Sequence, residues 1–206
     1  MQRWLSWLLV ILAIVNYPVL AEGELAPIQP GMRINFAYIN AHIEQKQCWS
    51  LSVLRGEFPG EVTINWIRPQ KDEVNLSGKR IYSKLKESRL FRPVFINGED
   101  QIIVESTAPW LSRVVYQELR QTGSANDFKE GGSSIIGHKI ATLKVEERIE
   151  LPVRVNGTQT FLKALKLNRG IWVWDNPLNP LVLKYDPFGF PLVTGIVGWR
   201  VTDIRY

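Results

Sequence analysis

The sequence predicts a mainly β fold of the α+β type: a curved antiparallel sheet or half-barrel packed on one main helix. Three observations carry this expectation. Short stretches alternate apolar and polar residues, as at Ile34, Phe36 and Tyr38 and again at Val62, Ile64 and Trp66. Turn signals separate such stretches, among them Pro59-Gly60, Asn97-Gly98, Asn156-Gly157 and Asn168-Arg169-Gly170. One segment, Pro109 to Gln121, has clear helical spacing, with Trp110, Leu111, Val114, Val115 and Leu119 on one stripe.

Residues 1–21 have the layout of a secretory signal peptide: Arg3 supplies a charge, Trp4 to Val15 is apolar apart from Ser6, and Val19-Leu20-Ala21 is a cleavage signal. A run of twelve residues, eleven of them apolar, is short for a bilayer span. Residues 22–206 are then a single β-rich envelope domain, large enough to bury one core. Pro27 to Gly31 reads as an extended linker, and Ile34 to Tyr38 as the first strand. Gln45-Lys46-Gln47 turns the chain into a strand from Cys48 to Leu54, and Pro59-Gly60 turns it into Val62 to Ile67. Arg68 to Asn75 is polar enough for an exposed loop, Arg80 to Ser83 suits a strand, and Lys84 to Arg89 a short helix. Gln101 to Glu105 is rich in β-formers. The main helix takes Thr107 or Ala108 as its cap, Pro109 in its first turn and Gly123 as its stop. Ser124 to Ser134 reads as a loop. The remainder is strand after strand: Lys139 to Val155, Gln159 to Leu167, Ile171 to Asp175, Leu181 to Tyr185 and Val193 to Ile204.

The chemistry is sparse. The chain of 206 residues carries a formal charge of +5, one cysteine and two histidines. Cys48 has no partner for an internal disulfide, and its apolar neighbours predict a buried small hydrophobe. His42 and His138 stand in no metal-ligand or nucleophile–base spacing, so no cofactor or metal is expected. Glu146 and Glu147 are adjacent in a strand and should point to opposite faces, whereas Glu99-Asp100 belongs to a turn. Basic residues gather between Lys79 and Arg92, a solvated face or a weak attraction to anionic headgroups or polysaccharide. No nucleic-acid partner is expected of an exported chain. Trp172 and Trp174 share one strand face, with Ile171 and Val173 opposite, which marks a central strand buried on both sides.

Three segments resemble known proteins. Leu151 to Gly157 resembles the opening hairpin of retropepsin-like aspartic proteases, but Phe161 to Leu167 lacks the aspartate that such a site requires, which excludes that activity. Thr107-Ala108-Pro109-Trp110-Leu111-Ser112-Arg113, with Tyr116 and Leu119 beyond it, resembles a helix start found in uncharacterised exported β-rich bacterial proteins of the periplasmic or lipoprotein-like clamshell type. Trp174-Asp175-Asn176-Pro177-Leu178-Asn179-Pro180-Leu181-Val182-Leu183-Lys184 is similar to a second segment of the same proteins. The resemblance implies a curved sheet wrapped on a helix and an envelope location; it brings no catalytic residues. With the aromatic content, it leads to an expected non-enzymatic periplasmic or secreted protein that binds an apolar or amphipathic ligand, or serves in envelope assembly. Its partners would be a lipid-like molecule or an envelope protein, with peripheral membrane contact, and Trp110, Arg113, Trp172 and Trp174 are the candidate ligand-binding residues. The alternative is a hydrolase of envelope polymers or peptides with a non-standard active site.

Overall fold

A computed structural model describes residues 26–40, 43–69, 75–93, 95, 102–131, 138–187 and 198–206. Its elements are β1 (Arg33–Asn40), β2 (Ile43–Gly56), β3 (Val62–Arg68), β4 (Leu76–Tyr82), β5 (Leu90–Phe91), β6 (Ile102–Val104), α1 (Arg113–Thr122), β7 (Ser124–Gly131), β8 (His138–Val155), β9 (Thr158–Leu167), β10 (Ile171–Trp174), β11 (Val182–Tyr185) and β12 (Gly198–Arg205). The protein is therefore mainly β, with one α-helix among the described residues that packs on β7 and β8. The signal-peptide region lies outside the described residues, as do His42 and Glu99-Asp100.

Pairing is sequential for most of the chain, in the order β5-β7-β8-β9-β10-β11-β12-β1-β2-β3-β4-β6. The sheet is mixed rather than wholly antiparallel: β4–β6, β5–β7 and β8–β12 are parallel. The last of these pairs Asp203 with Arg154 and Ile204 with Val155, so the pairings from β8 through β9, β10 and β11 to β12 return to β8.

The hairpin signals have clear physical causes. Asn156 and Gly157 both take positive φ, 48° and 85°, as a two-residue turn matched to strand twist requires, and they join β8 to β9 in register from Val155↔Thr158 to Arg148↔Leu165. In β2 the parity is set by Trp49, Leu51 and Val53, all buried. Period-two alternation then sends Cys48 to the other face, where it is exposed, contrary to the burial expected of it. The turn expected at Gln45–Gln47 is strand, because β2 begins at Ile43. Lys84 to Arg89 makes a single turn, with Ser88 N–H donating to Lys84 O at 2.9 Å, rather than the expected short helix.

Two further expectations shift. The loop expected over Ser124 to Ser134 contains β7, whose buried residues Ala125 and Phe128 flank a register irregularity. Another irregularity, between Val145 and Glu147, also defeats the opposite-face argument for Glu146 and Glu147: their carboxylates lie 4.0 and 3.4 Å from the same Lys166 Nζ.

Aromatic rings fill the core. Phe36 stacks on Trp49 at 3.9 Å and 7°, and Trp199 meets both edge-on. Phe91 and Tyr185 also meet Trp199 and extend the cluster. Offset and edge-to-face pairs of this kind add to the burial of the rings themselves. Arg80, from the basic run, is buried with its guanidinium 4.1 Å from the Phe95 ring centre, so that run is not one solvated face.

Candidate functional site

The helix begins later than its spacing implies. Ser112 is the cap, its hydroxyl accepting the Val115 N–H at 3.4 Å, and α1 starts at Arg113. Residues 109–111 are drawn instead into a ladder with the second familiar segment. Leu111 N–H donates to Pro180 O at 3.0 Å, Val182 N–H to Pro109 O at 2.8 Å, and Trp110 bridges Leu181. A turn closed by Trp110 N–H on Thr107 O at 2.8 Å, followed by the pairing with residues 180–182, thus takes up residues that could otherwise have formed the first turn of the helix. The end is as expected: Gly123 stands at φ 77° with its N–H on Leu119 O.

The two segments picked out by resemblance therefore lie against one another. Trp110 is fully buried and donates Nε1–H to Asn179 Oδ1 at 3.0 Å, while its ring meets Tyr82 edge-on. Asn176 and Asn179 are also buried. Asn176 Nδ2 donates to Ala26 O and its Oδ1 accepts the Leu178 N–H, both at 2.9 Å, which closes a local turn. Asp175 ties the loop to the helix: it accepts from Tyr116 Oη at 2.8 Å, from Arg148 Nη1 at 3.2 Å and from Arg120. On the other flank, Arg89 grips Glu118 with both guanidinium nitrogens and the Asn126 carbonyl with one.

At the edge of this clamp lies a cleft of about 300 Å³, lined by Phe58, Pro59, Arg113, Tyr116, Gln117, Pro177 and Leu178. This is at the small end of ligand-pocket volumes, and its walls are largely apolar with a few polar groups, the usual make-up of such sites. Arg113, at the first helical position, and Leu178, 46% exposed on the Asn-Pro loop, come from the two different segments.

Of the four candidate residues, Arg113 lines the cleft. Trp110 is fully buried and does not line it. Trp174 is buried in β10, and Trp172, half-buried, carries Lys184 Nζ 4.5 Å from its ring centre; neither lines the cleft. The expectation of a strand buried on both faces is met, since Ile171 and Val173 are fully buried beside Trp174. Sequence reasoning missed Phe58 and Pro59, which reach the cleft from the turn between β2 and β3 and belong to no helical or strand pattern. Tyr116, Pro177 and Leu178 were inside the familiar segments, and that proximity was the available signal. Among the described residues, no group of three His, Cys, Asp or Glu side chains is placed to hold a metal, and no helix is long and apolar enough to cross a membrane. No protein-family model, curated protein or solved structure matches the chain.

Four tyrosines give the fold a pH limit. Burial pushes the Tyr38 hydroxyl up to about 12, and burial raises Tyr116, Tyr185 and Tyr206 further, helped by Asp175 at Tyr116 and Glu130 at Tyr185. A group whose native pKa is raised keeps its full stabilising contribution below the unfolded value, about 10 for tyrosine, and loses it as pH rises toward the native value. Stability should therefore be flat in this respect through neutrality and fall steadily above pH ~10. An alkaline titration should show part of the tyrosinate absorbance appearing only with loss of tertiary structure. Ionisation of all tyrosines in the folded protein would contradict this.

Proposed function

We propose that this is a non-enzymatic, exported envelope protein, periplasmic or secreted, that binds an apolar or amphipathic ligand in the cleft beside α1. The carrying observation is the composition of that cleft: Phe58, Pro59, Pro177 and Leu178 offer apolar walls, and Arg113 offers one guanidinium. An apolar chain ending in a carboxylate matches both parts, the chain replacing water against the prolines and Leu178 and the carboxylate taking a charge-assisted bond from Arg113. An apolar segment of an envelope partner would use the same walls. In this reading the sheet is a half-barrel packed on the helix. The reading of residues 1–21 as a secretory signal peptide supports a location outside the cytoplasm.

Calorimetric titration with a medium-chain fatty acid tests the assignment. Leu178→Asp removes part of an apolar wall and Arg113→Glu reverses the charge; each is expected to weaken binding on the order of tenfold or more. Both positions are exposed, so the variants should fold normally. Wild-type affinity in both would remove the cleft from consideration.

A further inference from the structure

A second cleft, of about 450 Å³, opens where the end of β8 meets β12, and it is independent of the one beside α1. Arg154, Arg200 and Arg205 line it with a single carboxylate, Asp203. Its Oδ2 accepts from Arg205 Nε at 2.7 Å and from Asn35 Nδ2 at 3.2 Å, its Oδ1 is buried without a hydrogen-bond partner among the described residues, and its side chain is nine-tenths buried. Arg154 is exposed and makes no ion pair among the described residues. The lining is thus net positive in a concave setting, where guanidinium forks match the oxygens of a phosphate.

The β8–β9 hairpin adds an apolar element to the same face. Gln159 lies opposite Arg154 and Phe161 opposite Pro152 in the strand register. Side chains two residues apart share a strand face, so Phe161 projects beside Gln159, Pro152 and Arg154, three residues of the cleft lining. Phe161 is 64% exposed. A single exposed ring is ordinary on a protein surface. Beside a guanidinium-lined cleft it completes an amphipathic patch, with a ring suited to the lipid–water interface and charges suited to headgroups.

We infer that this face docks on an anionic phospholipid surface, with lipid phosphate held by Arg154 and its neighbouring arginines and Phe161 entering the interface. The full domain is tested by co-flotation with vesicles of phosphatidylcholine alone and of phosphatidylcholine mixed with phosphatidylglycerol. Binding is expected to the mixed vesicles only, and to weaken as salt is raised. Arg154→Glu should lower vesicle affinity by fivefold or more, from a value on the order of fivefold per basic residue near a charged surface. Phe161→Ser should also lower vesicle affinity while leaving the weaker binding of soluble glycerophosphate unchanged. Leu178→Asp, which disables the other cleft, should bind vesicles as wild type does, so the two assignments fail separately. Equal binding to both vesicle types, or wild-type vesicle binding by Arg154→Glu, would overturn the inference. Glycerophosphate binding with no vesicle binding would do so too, by giving the cleft to a soluble phosphoester.

Discussion

Trp110→Ala is expected to destabilise the protein by about 3–5 kcal/mol from the lost burial and the cavity it leaves. The indole is fully buried, and it also satisfies Asn179 Oδ1, a buried acceptor that the substitution strands. A stranded acceptor of this kind carries its own cost of about 1–3 kcal/mol. Native domains are stable by only about 5–15 kcal/mol in total, so the variant should lie near the edge of folding. Trp110→Phe keeps most of the ring and loses the N–H, and should show mainly the smaller hydrogen-bond cost. Urea denaturation separates these: the midpoint should drop in the order wild type, Phe, Ala with an unchanged slope. An alanine variant within about 1 kcal/mol of wild type would mean that the two segments do not depend on the indole that joins them.

Gly170→Ala is the second large effect. Gly170 closes the turn between β9 and β10 at φ 68°, and its carbonyl accepts the Asp186 N–H at 2.7 Å. A Cβ there would lie 2.0 Å from Asp186 O and 2.7 Å from its carbonyl carbon, so backbone on one side or the other must move. Gly123 is a matched control: its φ is 77°, but a Cβ would meet nothing within 4 Å. Both variants incur the left-handed backbone cost of about 1–2 kcal/mol. Gly170→Ala adds displacement of the strand end at Tyr185 to Pro187, and should exceed Gly123→Ala by at least ~2 kcal/mol. Thermal unfolding of the pair measures the difference directly. Equal losses would show that the close approach of Gly170 to Asp186 is absent in solution.

The parts of the fold that could be read in the sequence are those set by local chemistry. Asn156-Gly157 permits positive φ at both central positions, and a hairpin follows. Gly123 permits the left-handed cap, and the helix stops. The alternation survives in part: Ile34 and Phe36 of β1 and Val62, Ile64 and Trp66 of β3 are buried as their spacing implies, but Ala37 and Ile39 of β1 and Thr63 of β3, on the opposite faces, are buried as well. What could not be read was set by distant partners. Pro109 is a good first helical residue, and Ser112 a good cap; the choice went to Ser112 because Pro180 and Val182 hydrogen-bond residues 109–111. The polar run of β7 looks like a loop until Ala125 and Phe128 are seen to bury on either side of a register irregularity. Cys48 followed its apolar neighbours in sequence but not in space, since strand parity places Trp49 inside and Cys48 outside. The site was half visible. Arg113 and the Asn-Pro loop were marked by resemblance, whereas Phe58 joins them across the fold from an unremarkable turn.

The central claim is that an amphipathic ligand occupies the cleft that the two segments form with the β2–β3 turn. Amide and side-chain NMR shifts on titration with a medium-chain fatty acid test it most directly. Saturable changes are expected at Phe58, Arg113, Tyr116, Gln117 and Leu178, with Arg154 and Arg205 unmoved. Changes confined to the arginine cleft at β8 and β12, or none at saturating ligand, would contradict it.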